Sequence, residues 1–549
     1  MFKNIFKKQI NSVTIAATLV AISSLASRVL GVVRDRVLAG KFGAGNELDI
    51  YFAAFRIPDL IYNLIVLGAL SAGFIPVFIS LIKNKENYKK ENHSSKKDNK
   101  EAWFLVSNII NILAVTLIGL SVVGFFLAPQ LSSLIAPGFS VNDQQYTAIL
   151  TRIMFFSPLL LGISGIFSGV LQSFKRFLVY SLAPIFYNLG IIFGAVFLVD
   201  IFGLKGLAWG VVLGAFLHLI IQVPAVRNLG FRHSFKISFK EKNTLKIFKM
   251  MPPRTMSLAV SQLNLLVITI LASTLASGSL AIFNLANNLQ SFPVGIFGIS
   301  FAIAAFPLLS ESAKNKEKLA KNFSQTFRQI LFFIVPATVL IIILRAQIVR
   351  VVLGSGNFDW TDTVLTMNTL GFFALSLFAQ ATIPLLVRVF YAQEDSKTPF
   401  ILGLFSIILN IFLSWFLSNE MGVAGLALAF SIANIFNFFL LFIWIYVKNG
   451  SIKLSKIIIA VFKFSFSAIL AGGAAQATKY LVWPFINMSK FSGVFIQLIS
   501  AGIIGCFVYI LSCYLLKNKE IMNLINSFKK RLSFKKINNI GDSGEARGL

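Results

Sequence analysis

Long apolar stretches follow one another along almost the whole chain of 549 residues. A helix of about 20 residues crosses the hydrocarbon core of a bilayer, and a helix satisfies its own backbone hydrogen bonds there. We therefore predict an all-α integral membrane protein with about 14 transmembrane helices. The predicted spans are residues 12–39, 48–82, 102–128, 145–172, 178–199, 206–224, 246–275, 279–310, 324–350, 362–392, 399–417, 423–447, 456–483 and 491–516.

The charges are few but unevenly distributed. Only 13% of residues are charged, against about 25% in soluble domains, yet the net charge is +29. If the N-terminus is cytoplasmic, 32 Lys and Arg fall in predicted cytoplasmic segments and 3 in predicted outer loops. Because cytoplasmic loops of membrane proteins are enriched in Lys and Arg, we predict that both termini are cytoplasmic. We expect this charge to set the topology and attract membrane lipids, with no nucleic-acid partner.

An internal repeat predicts the domain organisation. The strings GLKGLA at 203–208 and GVAGLA at 422–427 open two predicted spans, 219 residues apart. Two pseudo-symmetric six-helix lobes in the same orientation, a transporter architecture, would account for this spacing. We predict an N-terminal lobe (1–224), a cytoplasmic linker (225–245), a C-terminal lobe (246–450), two appended helices (451–516) and a basic cytoplasmic tail (517–549).

The first two predicted spans contain charged residues, which are costly in a membrane and by default line a cavity or pair with each other. Arginine predominates, and its planar guanidinium binds phosphate oxygens bidentately. We predict that Arg28, Arg34 and Arg56 bind an anionic, phosphate-bearing substrate. The alternative is a set of ion pairs that only fixes the helix bundle. The acidic residues expected to support these arginines or to form a gate are Asp35, Asp49 and Asp59.

Catalytic and cofactor motifs are absent from the sequence. There is no Walker loop, nucleophile elbow or paired histidine, and the two cysteines and three histidines form no metal pattern. We predict a transporter rather than an enzyme, with no cofactor or metal, driven by the membrane potential or by Na⁺ or H⁺. Asn264 and Asn410 are candidate ligands for a coupling ion. Alternatively they form a hydrogen bond between helices.

Several motifs resemble the MurJ/MviN family, and together they run over at least Ser27–Pro307. They are SRVLG at 27–31, RD at 34–35, FGAG at 42–45, FRIP at 55–58, GALSAGFIP at 68–76 and FPVGIFG at 292–298.

The resemblance implies a lipid II flippase of the multidrug/oligosaccharidyl-lipid/polysaccharide exporter superfamily. Such a protein moves undecaprenyl-pyrophosphate-linked peptidoglycan precursor from the inner to the outer leaflet of the bacterial cytoplasmic membrane. The family's cavity arginines correspond to Arg28 and Arg34, and its extra spans 13 and 14 imply a groove for the lipid tail. We expect a monomer.

The sequence departs from the family pattern in the eighth span. Many members have Ala-Asp-Arg before the Phe-Pro pair, and that arginine is thought to bind substrate. Here Asn288 stands in the corresponding string, and an amide cannot supply the charge. Arg254, at the head of the preceding predicted span, is our candidate replacement.

Other functions remain open from the sequence. The protein could instead flip another polyprenyl-linked glycan, such as an O-antigen or polysaccharide precursor, or act as a membrane scaffold without transport. A drug or cation antiporter would favour an acidic cavity, whereas arginine is in excess here.

Overall fold

The computed structural model describes residues 13–67, 73–82, 100–450, 453–523 and 525–526, and every regular element within them is helical. This confirms the predicted all-α membrane fold. The principal helices are α1 (Val13–Phe42), α2 (Asn46–Ile61), α3 (Lys100–Ile135), α4 (Val141–Met154), α5 (Phe156–Ser173), α6 (Phe177–Phe193), α7 (Val199–Phe202), α8 (Lys205–Ile220), α9 (Val223–Asn228), α10 (Lys242–Met250), α11 (Pro252–Ser273), α12 (Ser279–Pro293), α13 (Ser300–Glu311), α14 (Lys316–Val352), α15 (Trp360–Ala374), α16 (Leu377–Ala392), α17 (Lys397–Met421), α18 (Val423–Asn449), α19 (Leu454–Val482) and α20 (Phe491–Leu515).

Ten helical stretches of the described chain are long and apolar enough to cross a membrane. The pair α15 and α16, bent by 45°, makes an eleventh if it is one span. The first and second predicted spans are helical where described, but they carry charges, and the apolar part of α11 is short. The protein is thus a multi-pass membrane protein, and the count of fourteen spans stays a prediction.

The chain forms two compact units. The first comprises Met1–Leu289, Val352–Thr369 and Ile407–Phe430, and the second comprises Gln290–Val351, Leu370–Ser406 and Ser431–Leu549. These boundaries differ from those of the predicted lobes, because several long helices contribute one end to each unit. The division into two six-helix lobes therefore stays a prediction.

In the first unit, α8 packs against α5 and α6, while α4 packs against α2 and α3. Glycines on the facing sides of α6 and α8, such as Gly190 and Gly214, bring the two backbones into direct contact. Close packing through small residues is the usual way for helices to associate in lipid, where burial of apolar surface gives little driving force.

The second unit has its own apolar core. Phe323, Phe390 and Phe464 are fully buried there, and α19 and α20 pack along each other. By contrast, Phe462 and Phe507 on the last two helices are exposed. Exposed apolar side chains along a helix are those expected to face lipid.

The two copies of the repeated glycine motif have the same local geometry. Gly203 and Gly422 both have φ +59°. The N–H groups of Gly206 and Gly425 donate to the carbonyls three residues earlier, at 2.9 and 3.0 Å. In both turns an added Cβ at the second glycine would strike the carbonyl of the residue eight positions earlier. The motif therefore encodes one turn structure used twice.

The predicted linker at 225–245 is well defined. It contains α9, an extended stretch and α10, whose first turn is capped by the Glu241 carboxylate through the N–H groups of Asn243 and Thr244. Partial burial alone would raise the pKa of Glu241, but hydrogen bonds from Thr244 and Asn243 outweigh it and lower that pKa. Most of the predicted tail, residues 527–549, lies outside the described residues.

Candidate functional site

The charged residues of the first predicted span lie on α1. Arg28 and Asp35 are separated by two helical turns. Asp35 is buried, whereas Arg28 is partly exposed. Among the described residues Arg28 has no hydrogen-bond or ion-pair partner, in contrast to Arg34 and Arg56 below.

Arg34 is held rigidly by three hydrogen bonds. Its Nε and Nη2 donate to Asp35 Oδ1 at 3.0 and 2.8 Å, and its Nη1 donates to Asn188 Oδ1 at 3.2 Å. The other Asp35 oxygen accepts from the amide of Asn288 at 2.9 Å. Asp35 therefore contacts Arg34 on its own helix and connects α1 to α12.

Arg56 on α2 is held by neutral groups. Its Nε donates to Thr269 Oγ1 at 2.7 Å, and its Nη2 donates to Asn284 Oδ1 at 2.9 Å. Because neither partner is charged, the positive charge of Arg56 is not neutralised by these contacts. Asp59, one turn away, makes no ion pair with a described residue. Its supporting role therefore stays a prediction.

Asp49 on α2 contacts the backbone at the start of another helix. Its buried carboxylate accepts from the N–H groups of Gly278 and Ala281, at 2.6 and 2.7 Å. It thus caps the N-terminus of α12, where the helix dipole favours a negative charge. The expectation that Asp49 positions an arginine stays a prediction; the hydrogen bonds described for it are with backbone N–H groups.

The turn between α1 and α2 makes a second set of contacts. The N–H of Ala44 donates to Asp362 Oδ2 at 2.8 Å. The backbone N–H of Asn357 donates to the carbonyl of Gly40 at 2.8 Å, and its side chain donates to the carbonyl of Lys41 at 2.7 Å. We call these bonds and those of Asp49 the outer-turn contacts, because the turn lies in a predicted outer loop.

The sequence also predicted a substrate contact for Arg254 and either an ion site or a helix–helix hydrogen bond for Asn264 and Asn410. Arg254 lies in α11, and its side chain is outside the described residues, so its role stays a prediction. Asn410 donates to Asn264 Oδ1 at 2.7 Å, which is the predicted alternative of a bond between helices. Within the described part of the chain, no three His, Cys, Asp or Glu residues come together as a metal-binding group.

The sequence itself identifies the family. The family model described as lipid II flippase MurJ matches residues 38–497. A protein of Buchnera aphidicola subsp. Acyrthosiphon pisum named probable lipid II flippase MurJ is 30% identical over 519 residues, covering 93% of this chain and 98% of the relative. The chain belongs to the lipid II flippase MurJ family.

Solved structures agree on the fold. A structure titled lipid II flippase MurJ, inward closed conformation, has a TM-score of 0.73 and 23% identity, covering 91% of this chain and 98% of that one. An inward-facing multidrug transporter of the MATE family has a TM-score of 0.65 and 16% identity, covering 79% and 99%. The fold is therefore shared between MurJ proteins and MATE transporters.

Asn288, the residue of the expected departure from the MurJ family pattern, lies on α12 and donates to Asp35. Of the predicted arginines with described side chains, Arg28 and Arg34 lie on α1 and Arg56 lies on α2. The replacement of a substrate-binding arginine at Asn288 stays a prediction.

Sequence reasoning missed the neutral partners of the arginines. Asn188, Thr269 and Asn284 are neutral polar residues in largely apolar spans. Such residues are expected to find a partner, since an unsatisfied polar group in lipid is costly. Their polarity within a span was the available signal, but it does not identify which arginine each one contacts.

Proposed function

We propose that this protein flips lipid II, the undecaprenyl-pyrophosphate-linked peptidoglycan precursor, from the inner to the outer leaflet of the bacterial cytoplasmic membrane. Family membership supports the substrate class. The observation that carries the site is Arg28: a partly exposed guanidinium inside a predicted span, without a partner among the described residues. A cation inside a membrane span is costly unless a ligand or water compensates it.

The three arginines have complementary roles in this proposal. Arg28 is free to contact the pyrophosphate. Arg34 and Arg56 are fixed by their hydrogen bonds, so they lose little conformational freedom when an anion binds. Fixed donors hold a pyrophosphate more specifically than flexible lysines would.

Transport by alternating access would require the outer-turn contacts to break. In this structure Asp49 at the start of α2 accepts a hydrogen bond from Gly278, and Ala44 in the α1–α2 turn donates one to Asp362. We infer that these bonds close the outer side while substrate enters from the cytoplasmic leaflet, and that they open to release it outside.

The lipid tail has a candidate groove in the second unit. A cavity of about 640 Å³ is lined by apolar residues of α14, α16, α18 and α19, including Leu331, Phe439 and Phe462. Its lining supports a polyprenyl chain as occupant, since it is almost wholly apolar. The first appended helix, α19, contributes to this groove, whereas α20 does not.

The energy source is proposed from charge alone. An inside-negative potential favours outward movement of an anion, by about 2.3 kcal/mol per charge at 100 mV. Na⁺ or H⁺ coupling remains part of the proposal for the return step. We further propose that the protein works as a monomer with both termini in the cytoplasm.

Reconstitution with labelled lipid II tests this function. Headgroup accessibility on each side of proteoliposomes would be measured with and without a membrane potential and a Na⁺ gradient. We expect Arg28→Gln to abolish movement. We expect the matched variant Arg152→Gln to transport normally, because Arg152 is a half-buried arginine on α4 whose Nε donates to the carbonyl of Phe125.

Two results would overturn the assignment. Movement of another polyprenyl-linked glycan without movement of lipid II would change the substrate. Equal transport by wild type and Arg28→Gln would remove Arg28 from the binding site, even if the protein remained a lipid II flippase.

A further inference from the structure

A second groove lies in the first unit, and its lining includes none of Arg28, Arg34 and Arg56. It has a volume of about 970 Å³ and lies between α3, α5 and the extended stretch that follows α9. Most of its lining is apolar, which suits a hydrocarbon chain better than a free ion. The apolar lining includes Ile110, Ala114, Val115, Ile118, Ile163 and Phe167.

The extended stretch, residues 231–238, is fastened to α3 and forms one wall of the groove. Asn111 donates to the carbonyls of Ser234 and Lys236, at 2.7 and 3.1 Å. Asn108 exchanges hydrogen bonds with the backbone of Ser238, at 2.7 and 2.8 Å. The backbone of this wall is therefore satisfied by buried amides, and its position is fixed.

Positive and polar groups are concentrated at the same wall. Arg227, Arg232 and His233 line the groove and are exposed. Within the part of the chain that the structure describes, none of the three side chains makes an ion pair. No carboxylate lines the groove, so its charge is unopposed and complementary to an anion.

The wall has the composition of a membrane interface. Phe235 is 87% exposed and Phe239 is 57% exposed, and exposed basic residues, including Lys236 and Lys240, alternate with them. Aromatic and basic side chains mixed in this way bind at the headgroup level of a bilayer. In the proposed orientation this is the cytoplasmic surface, where anionic lipids attract basic segments.

We propose that this groove binds an anionic phospholipid of the inner leaflet, with its phosphate held by Arg227 and Arg232 and one acyl chain lying along α3. The guanidinium groups supply bidentate donors for phosphate oxygens. A partner helix would explain the apolar lining but not the unopposed cations.

The groove has room for a long chain. Ile118 also lines a second cavity of about 390 Å³, which continues along α3 to Phe125 and Phe126. From Ile110 to Phe125 the helix rises about 22 Å, at about 1.5 Å per residue. This length is comparable to an extended acyl chain.

The bound lipid would brace the connection between the two predicted lobes. The wall of the groove is part of the 225–245 linker, which continues through α10 into α11. A lipid that contacts both α3 and the linker would hold the linker against the first unit.

Native mass spectrometry of the full-length, delipidated protein tests the proposal. Dioleoylphosphatidylglycerol and dioleoylphosphatidylcholine would be titrated separately, and inorganic phosphate would serve as a free anion. We expect selective binding of phosphatidylglycerol, weakened about tenfold or more by Arg227→Gln combined with Arg232→Gln. The matched double variant Lys236→Gln with Lys240→Gln removes the same charge from the same linker but outside the groove lining, so it should weaken binding much less.

A second pair of variants tests the chain-binding part. Val115→Trp fills the groove and should reduce binding similarly, whereas Leu120→Trp, on α3 but outside the lining, should not. Arg28→Gln should leave this binding unchanged, which separates it from substrate binding. The proposal is overturned if phosphatidylcholine binds equally well, if millimolar phosphate displaces the lipid, or if either groove variant binds like its control.

Discussion

At the scale of single residues, the acidic groups of the first two spans have distinct tasks although the sequence presents them as one set. Asp35 accepts from both Arg34 and Asn288, whereas Asp49 accepts only from backbone N–H groups in the contacts described. A carboxylate seven residues from an arginine thus need not pair with it. The partner of such a carboxylate is the nearest donor that still lacks a hydrogen bond. For Asp49 these donors are the N–H groups at the N-terminus of α12.

Asp49→Ala should destabilise the protein by about 2 kcal/mol, because it removes charge-assisted hydrogen bonds and leaves two N–H groups buried and unpaired. Thermal melting of the purified protein measures this. Glu47→Ala is the matched control, since Glu47 is an exposed acid in the same first turn of α2. Equal melting temperatures for the two variants would contradict the capping role.

At the scale of elements, the stability of a turn depends on the segments packed against it as much as on its own backbone conformation. Gly278 and Gly422 both have positive φ, at +88° and +59°. An added Cβ at Gly278 would collide with the carbonyl of Ala44, whereas at Gly422 it would meet nothing within 4 Å. The two glycines therefore separate the effect of backbone conformation from the effect of close packing.

Gly422→Ala should cost about 1–2 kcal/mol, the price of a left-handed conformation for alanine. Gly278→Ala should cost distinctly more, and it should also loosen the outer-turn contacts. Melting temperatures and hydrogen exchange of the Asn46–Ile61 helix would record both effects. If the two variants lose the same stability, the contact between Gly278 and Ala44 contributes nothing.

At the scale of the whole molecule, the distribution of basic residues predicts which loops face the cytoplasm. Single cysteines would be placed at Lys205 and Lys490, predicted outside, and at Lys314, predicted inside, in a chain with Cys506 and Cys513 replaced. A membrane-impermeant maleimide added to intact spheroplasts should label the first two and not the third. Labelling of Lys314→Cys alone would reverse the orientation, and with it the proposed direction of transport.

The sequence by itself determined the all-α membrane fold, because hydrophobic length and backbone hydrogen bonding leave few alternatives in lipid. It also determined the family and located Arg28, Arg34 and Arg56, since charges in apolar spans are conspicuous. Only the tertiary structure decided which partner each charge has. Asn188, Thr269 and the N-terminus of α12 are more than 100 residues away in sequence from the groups they contact. Such contacts depend on how helices pack, and no local pattern records that.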